Sequence, residues 1–98
     1  MFVFKIYEQC NDVLLAIADS DIIGKTFEEG ELSLAIDRAF YCGEKCSESD
    51  VAELIESATI VNASGNRIVS LLVERGFVDN KCVLKIGGLK HAQIVKIP

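Results

Sequence analysis

The run Val13-Leu14-Leu15-Ala16-Ile17-Ala18 is apolar at every position. As a strand it is apolar on both faces, which only an interior strand of a sheet can satisfy. It follows Phe2-Val3-Phe4-Lys5-Ile6-Tyr7, where Phe2, Phe4 and Ile6 alternate with Val3, Lys5 and Tyr7, across a Cys10-Asn11-Asp12 turn. The two segments are expected to form a hairpin whose second strand is central.

Around that strand the pattern is mixed. Asp19 to Glu31 holds Gly24, Gly30 and five carboxylates, with Ile22, Ile23 and Phe27 as its apolar anchors, and is expected to be a connection. Leu32, Leu34 and Ile36 alternate with Ser33, Ala35 and Asp37, giving a third strand directed towards Phe40 and Tyr41. Ser47, Glu48 and Asp50 open an amphipathic helix that buries Val51, Leu54, Ile55 and Ala58. Thr59-Ile60-Val61 is either a short strand or a tight connection. Ile68, Leu71 and Leu72, flanked by Val69 and Val73, form a more deeply buried helix that Gly76 stops. Cys82 to Ile86 and Ala92 to Ile97 close the fold as two strands joined through Gly87-Gly88-Leu89-Lys90-His91. The expected fold class is α+β, a single small domain over residues 1–98, with a mostly antiparallel or mixed sheet of about five strands and two helices.

Length and composition narrow the function classes. The 98 residues suit one core, and a domain of that size is expected as a monomer or a homodimer. No apolar run approaches the ~20 residues that cross a bilayer, and the opening strand pattern is unlike a signal peptide, so the expected setting is cytoplasmic, with no membrane partner. The net charge of −5 argues against a nonspecific nucleic-acid binder. The charge is segregated, however. Residues 1–80 carry six basic and fifteen acidic side chains, net −9, whereas residues 81–98 carry Lys81, Lys85, Lys90 and Lys96 without an acid. Such a segment either faces an anionic partner or guards a sheet edge with lysines.

Cys42 and Cys46 have the spacing of a zinc-ligand pair, but Cys10 and Cys82 make no second pair. Reduced thiols, no metal site and no cofactor are therefore expected. His91 is the only histidine, and no nucleophile elbow, dinucleotide fingerprint or metal triad accompanies it. The sequence points away from an enzyme and supplies no catalytic residue.

Three groups are candidates for binding. In Gly87-Gly88-Leu89-Lys90-His91-Ala92-Gln93, the paired glycines offer bare amides, Lys90 a charge, and His91 and Gln93 directional hydrogen bonds. The plain alternative is a hairpin turn with solvated neighbours. Tyr41, just before Gly43, offers a stacking face, or else is a half-buried core tyrosine. Asn62, Gly65 and Arg67 suit an anion at the start of the second helix, unless Asn62 or Ser64 merely caps it.

The segments Gly24-Lys25-Thr26-Phe27, Phe40-Tyr41-Cys42-Gly43, Ala58-Thr59-Ile60 and Ile86-Gly87-Gly88-Leu89-Lys90-His91-Ala92-Gln93-Ile94 resemble, in this order, an archaeal family of unknown function, domain of unknown function 424. A second glycine is common in its pattern where this chain has Cys42, which weakens any shared thiol site. The resemblance implies an RNA-binding accessory protein of the translation apparatus and favours Gly87, Gly88, His91 and Gln93, then Tyr41 and Gly43, as functional surface. Lys85, Lys90 and Lys96 would then meet phosphates while His91, Gln93 and Tyr41 touch a base or sugar. Two other classes compete: an acidic module that docks on a ribosome-associated protein, and a small anion-binding protein or enzyme that uses His91.

Overall fold

The computed structural model describes residues 1–96, and Ile97, the expected end of the last strand, lies outside them. Its strands are β1 (Phe2–Gln9), β2 (Asp12–Asp19), β3 (Thr26–Glu29), β4 (Leu32–Ala35), β5 (Glu44–Cys46), β6 (Ile60–Ser64), β7 (Leu84–Ile86) and β8 (Leu89–Val95). The helices are α1 (Arg38–Tyr41), α2 (Glu48–Ser57) and α3 (Asn66–Glu74). The fold class is α+β, with a mixed six-stranded sheet in the order β5-β1-β2-β6-β8-β7 and a separate β3–β4 ribbon.

As its sequence requires, β2 is interior. It pairs antiparallel with β1 along its whole length, and parallel with β6, where Leu14 faces Ile60 and Ala18 faces Ser64. A parallel neighbour cannot be reached by a tight turn. The chain between Asp19 and Ile60 makes that crossover and supplies cover for both faces. On one face Phe2, Phe4, Leu15, Ile17, Val61, Ala63 and Ala92 pack against Val51 and Ile55 of α2 and Ile68, Val69, Leu71 and Leu72 of α3. On the other, Val3, Ala16, Ala18 and Leu89 pack against Ile36 and Tyr41, with Phe27, Leu34 and Phe40 partly buried beside them. Small Ala16 and Ala18, both fully buried, leave room for Tyr41 and Ile36 to come close to the sheet.

Most expected elements are present, with corrections. The sheet has six strands because Glu44–Cys46 adds an edge strand that was not expected, and the strand expected from Cys82 starts only at Leu84, since Asn80–Cys82 form a 3-10 turn. The third strand stops at Ala35 because the Asp37 carboxylate accepts a hydrogen bond from the Ala39 amide at 3.0 Å, which turns Arg38–Tyr41 into a helical turn instead of an extension of the strand. The expected connection from Asp19 to Glu31 contains β3, which pairs with β4 around Gly30 at φ 61. Ile60 and Val61 belong to a central strand that runs on to Ser64, with Thr59 at the bend just before it. Finally, β8 begins at Leu89, so the last hairpin turns on Gly87 and Gly88 alone, with φ 56 and 83, as a two-residue turn requires.

The start of α3 also departs from expectation. Neither Asn62 nor Ser64 caps it. Both belong to β6, Gly65 occupies the cap position, and the Asp19 carboxylate, arriving from the end of β2, accepts from the Arg67 amide at 3.0 Å and the Ile68 amide at 2.9 Å. Asp19 is only 3% exposed. Its burial is offset by two charge-assisted hydrogen bonds and the positive end of the helix dipole. The approach is so close that a Cβ on Gly65, at φ +133, would lie 2.4 Å from Asp19 Cγ.

Two substitutions test this junction. Asp19→Ala is expected to destabilise the fold by roughly 2–4 kcal/mol, from the lost cap and two orphaned amides. Gly65→Ala is expected to destabilise it as well, but less in the Asp19→Ala background, where the clash is gone. A double-mutant cycle by urea unfolding measures the coupling, and strictly additive effects would contradict this account.

Candidate functional site

The register of β6 and β8 decides which candidate residues meet. Asn62 faces Gln93, and Ser64 faces His91, in an antiparallel pair, so these four side chains lie on the sheet face opposite α2 and α3. Tyr41 reaches the same place from α1. Its hydroxyl lies 2.9 Å from Ser64 Oγ, which lies 2.7 Å from His91 Nδ1.

The direction of that relay follows from satisfying every proton. Tyr41 is buried, and Ser64 is its hydroxyl's partner among the described residues. Were Ser64 to donate to Tyr41, the buried phenolic proton would have no acceptor. Tyr41 therefore donates to Ser64, Ser64 donates to Nδ1, and the neutral imidazole keeps its proton on Nε2. Burial pushes both titrations towards the neutral forms that this relay needs: the Tyr41 phenol is raised and the His91 imidazole lowered from ordinary values. Ser64 is fully buried, so its hydroxyl positions the ring and is out of reach as a nucleophile.

The glycine turn is held from behind. Asn66 Nδ2 donates to the Gly88 carbonyl at 3.1 Å and Asn66 Oδ1 accepts from the Lys90 amide at 2.8 Å. The Gly65 amide donates to the Lys90 carbonyl at 2.9 Å. The Gly87 amide donates to the Glu29 carboxylate at 3.1 Å, and a Cβ on Gly87 would lie 2.6 Å from the Glu28 carbonyl oxygen. The Gly87 amide thus already serves a carboxylate of the chain itself.

Other expected residues disperse. Lys90 points to the helical face, its Nζ 3.3 Å from Ser70 Oγ, and Lys85 is its cross-strand neighbour. Lys96 Nζ donates to the Ile55 and Glu56 carbonyls at the end of α2, at 2.6 and 3.2 Å, where a cation complements the helix dipole. Arg67 is on the helical side, its guanidinium 5.4 Å from the Phe2 ring. The amides expected to receive an anion beside it belong to Asp19. Gly43 backs onto β1, its amide donating to the Phe4 carbonyl at 3.0 Å. Cys42 and Cys46 belong to the apolar clusters on opposite faces of the sheet, and among the described residues no three His, Cys, Asp or Glu side chains are grouped to hold a metal.

Beyond His91 the face opens. Tyr7, Leu14, Ile60 and Asn62 are partly exposed and Gln93 and Val95 exposed. A hollow of about 310 Å³ lies at its end, lined by Tyr7, Gln9, Cys10, Asp12, Leu14 and Ile60. Tyr7 is stacked on Phe40, ring centroids 5.4 Å apart, with its hydroxyl 2.7 Å from the Phe40 carbonyl, so the ring is held rigidly at the rim. The side-chain amides of Asn62 and Gln93 have no hydrogen-bond partner among the described residues. Sequence reasoning missed Tyr7, Ser64, Asp19 and Asn66. Only Ser64 and Asn66 left a signal, as polar neighbours of the Gly65 junction.

The family model described as "Protein of unknown function (DUF424)" matches residues 7–97. The chain belongs to that family. No curated protein matches it. Among solved structures, this DUF424 chain is similar to the crystal structure of an uncharacterized conserved protein from Methanopyrus kandleri, with TM-score 0.81 and 24% identity over 99% of this chain and 95% of that one. The likeness establishes a shared fold. Among the described residues of this DUF424 protein, no helix is long and apolar enough to cross a membrane.

Since His91 is the only histidine, its titration can be read directly. The imidazole signal in proton NMR is expected to titrate with a midpoint below the ordinary 6.5. Because the unfolded chain takes up this proton first, the fold loses stability as pH falls from about 6.5 towards the folded midpoint. A His91→Gln variant should lack that component of the pH dependence. A midpoint at or above 6.5 would contradict the buried relay.

Proposed function

We propose that the face formed by Tyr7, Leu14, Ile60, Asn62, His91 and Gln93 binds single-stranded RNA, in the translation setting that the family resemblance implies. One observation supports this most: the β6–β8 register sets the unpartnered amides of Asn62 and Gln93 beside an imidazole whose Nδ1 is occupied, on the sheet face that α2 and α3 leave uncovered. Amide groups and a neutral Nε2–H can read the edges of unstacked bases, and a fixed tyrosine ring offers a stacking surface. Leu14 and Ile60 supply the apolar floor between them.

This placement separates the C-terminal lysines from the binding face. Lys85 and Lys90 lie on the opposite face and Lys96 at the end of α2, so they are not the phosphate contacts of this surface. Lys5, 5.5 Å from the Tyr7 ring centre, is the nearby cation. Affinity is then carried mainly by stacking and hydrogen bonding, with only one or two phosphates engaged.

Fluorescence anisotropy with labelled 12-nucleotide oligo(U) and oligo(A), and a duplex as control, tests the proposal. Single strands are expected to bind in preference to the duplex, with log K falling against log salt at a slope of about −0.7 to −1.4, as one or two phosphates give. Asn62→Ala with Gln93→Ala is expected to weaken binding about ten-fold, at ~0.5–1 kcal/mol for each lost hydrogen bond, and Lys85→Ala to leave it unchanged. No binding at low salt, or equal binding by the Asn62/Gln93 variant, would remove the reading.

A further inference from the structure

β5 covers β1 only from Phe2 to Phe4, so Lys5 to Gln9 form an open outer edge of the sheet. The Gly43 amide donates to the Phe4 carbonyl, which fixes Phe4's backbone groups on that outer side. Backbone direction alternates along a strand, so the N–H and C=O of Ile6 and Glu8 point outward too. They have no partner among the described residues. The edge is also unfilled: a hollow of about 250 Å³ lies beside it, lined by Phe4, Lys5, Ile6, Gly43 and Glu44, and Ile6 is 44% exposed.

We propose that a second copy of this chain completes that edge, β1 against β1, antiparallel about a two-fold axis through Tyr7. In that register Ile6 of each copy opposes Glu8 of the other, and each such pair exchanges both backbone hydrogen bonds, a self-complementary arrangement. Other registers lose half of these bonds. An axis through Ile6 sets Glu8 against Phe4, whose carbonyl is engaged by Gly43, and an axis through Glu8 sets Ile6 against Cys10, which is already in the left-handed turn at φ 54. The side chains agree with the register. Tyr7 opposes Tyr7, Lys5 opposes Gln9 and Ile6 opposes Glu8, so no like charges are directly opposed. The lengths agree as well, since the turn at Cys10 and Asn11 carries the second copy away from β1 where Gly43 begins.

The pairing makes one continuous sheet in which the two Tyr7 rings are neighbours on the same face. It stands on backbone geometry and is independent of the RNA reading. Sedimentation equilibrium of the RNA-free chain from about 10 µM to about 1 mM tests it, a range suited to a small, weak interface. The mean mass is expected to rise from 10.7 kDa towards twice that value. Glu8→Pro removes a donor that the β1–β2 ladder does not use, and should stay folded by circular dichroism while losing the dimer. Should that variant unfold, a Cys10→Ser background decides: Tyr7→Cys is expected to cross-link to itself on oxidation and Gln9→Cys not to. A chain that stays monomeric throughout, a folded Glu8→Pro dimer, failure of Tyr7→Cys to cross-link, or open-ended growth from β1 meeting the outer half of β8 would each overturn the proposal.

Discussion

The buried Asp19 carboxylate ties the architecture together. It ends β2, accepts the first free amides of α3, and lies so near Gly65 that no side chain fits there. The interior strand is thereby fixed at one point to a distant part of the chain, its parallel neighbour β6 and the helix that follows β6 and covers them. The helix gains the cap that its own first residues lack, and the carboxylate gains partners that make burial tolerable.

The site inherits its geometry from that junction. Asn66, one residue beyond Gly65, grips the backbone on both sides of Leu89, while the Gly65 amide takes the Lys90 carbonyl. The start of β8 is therefore set relative to β6, which places His91 beside Ser64. Tyr41 closes the relay from the crossover, where Asp37 converts a strand into one turn of helix and swings the ring onto Ala16 and Ala18. The imidazole is held by a buried hydroxyl on one side and keeps its other nitrogen available. A flexible surface histidine would lack that orientation, and burial lowers the proton affinity of this ring.

Much of the scaffold was legible from periodicity. The two-faced apolar run of β2, the helical spacing of Val51 and Ile55, the dense face of Ile68 to Leu72 and the stop at Gly76 all appear where expected, because burial imposes its period directly on the residues. The acidic β3 was hidden because only Phe27 marks its buried side. The short strand open at Ile60 and Val61 was legible, but its extension to Ser64 was hidden because Asn62 and Ser64 resemble helix caps, although their spacing of two is also that of a strand face. The segment around Gly87 and Gly88 stood out correctly as a turn, but its glycines answer to the Glu28 carbonyl, the Glu29 carboxylate and the Asn66 side chain, with no external anion required.

By itself the sequence determined the α+β class, the interior position of β2, the two long helices and membership of a family through its ordered motifs, since each follows from local pattern. The tertiary structure alone decided which polar residues share a face. Lys90 and His91 are adjacent in the chain yet lie on opposite sides of the sheet, because a strand alternates its side chains, while Tyr41, Ser64 and His91 meet across it. That outcome depends on strand order and register, which are set by long-range pairing and by a carboxylate 49 residues from the helix amide it caps, and no local pattern encodes them.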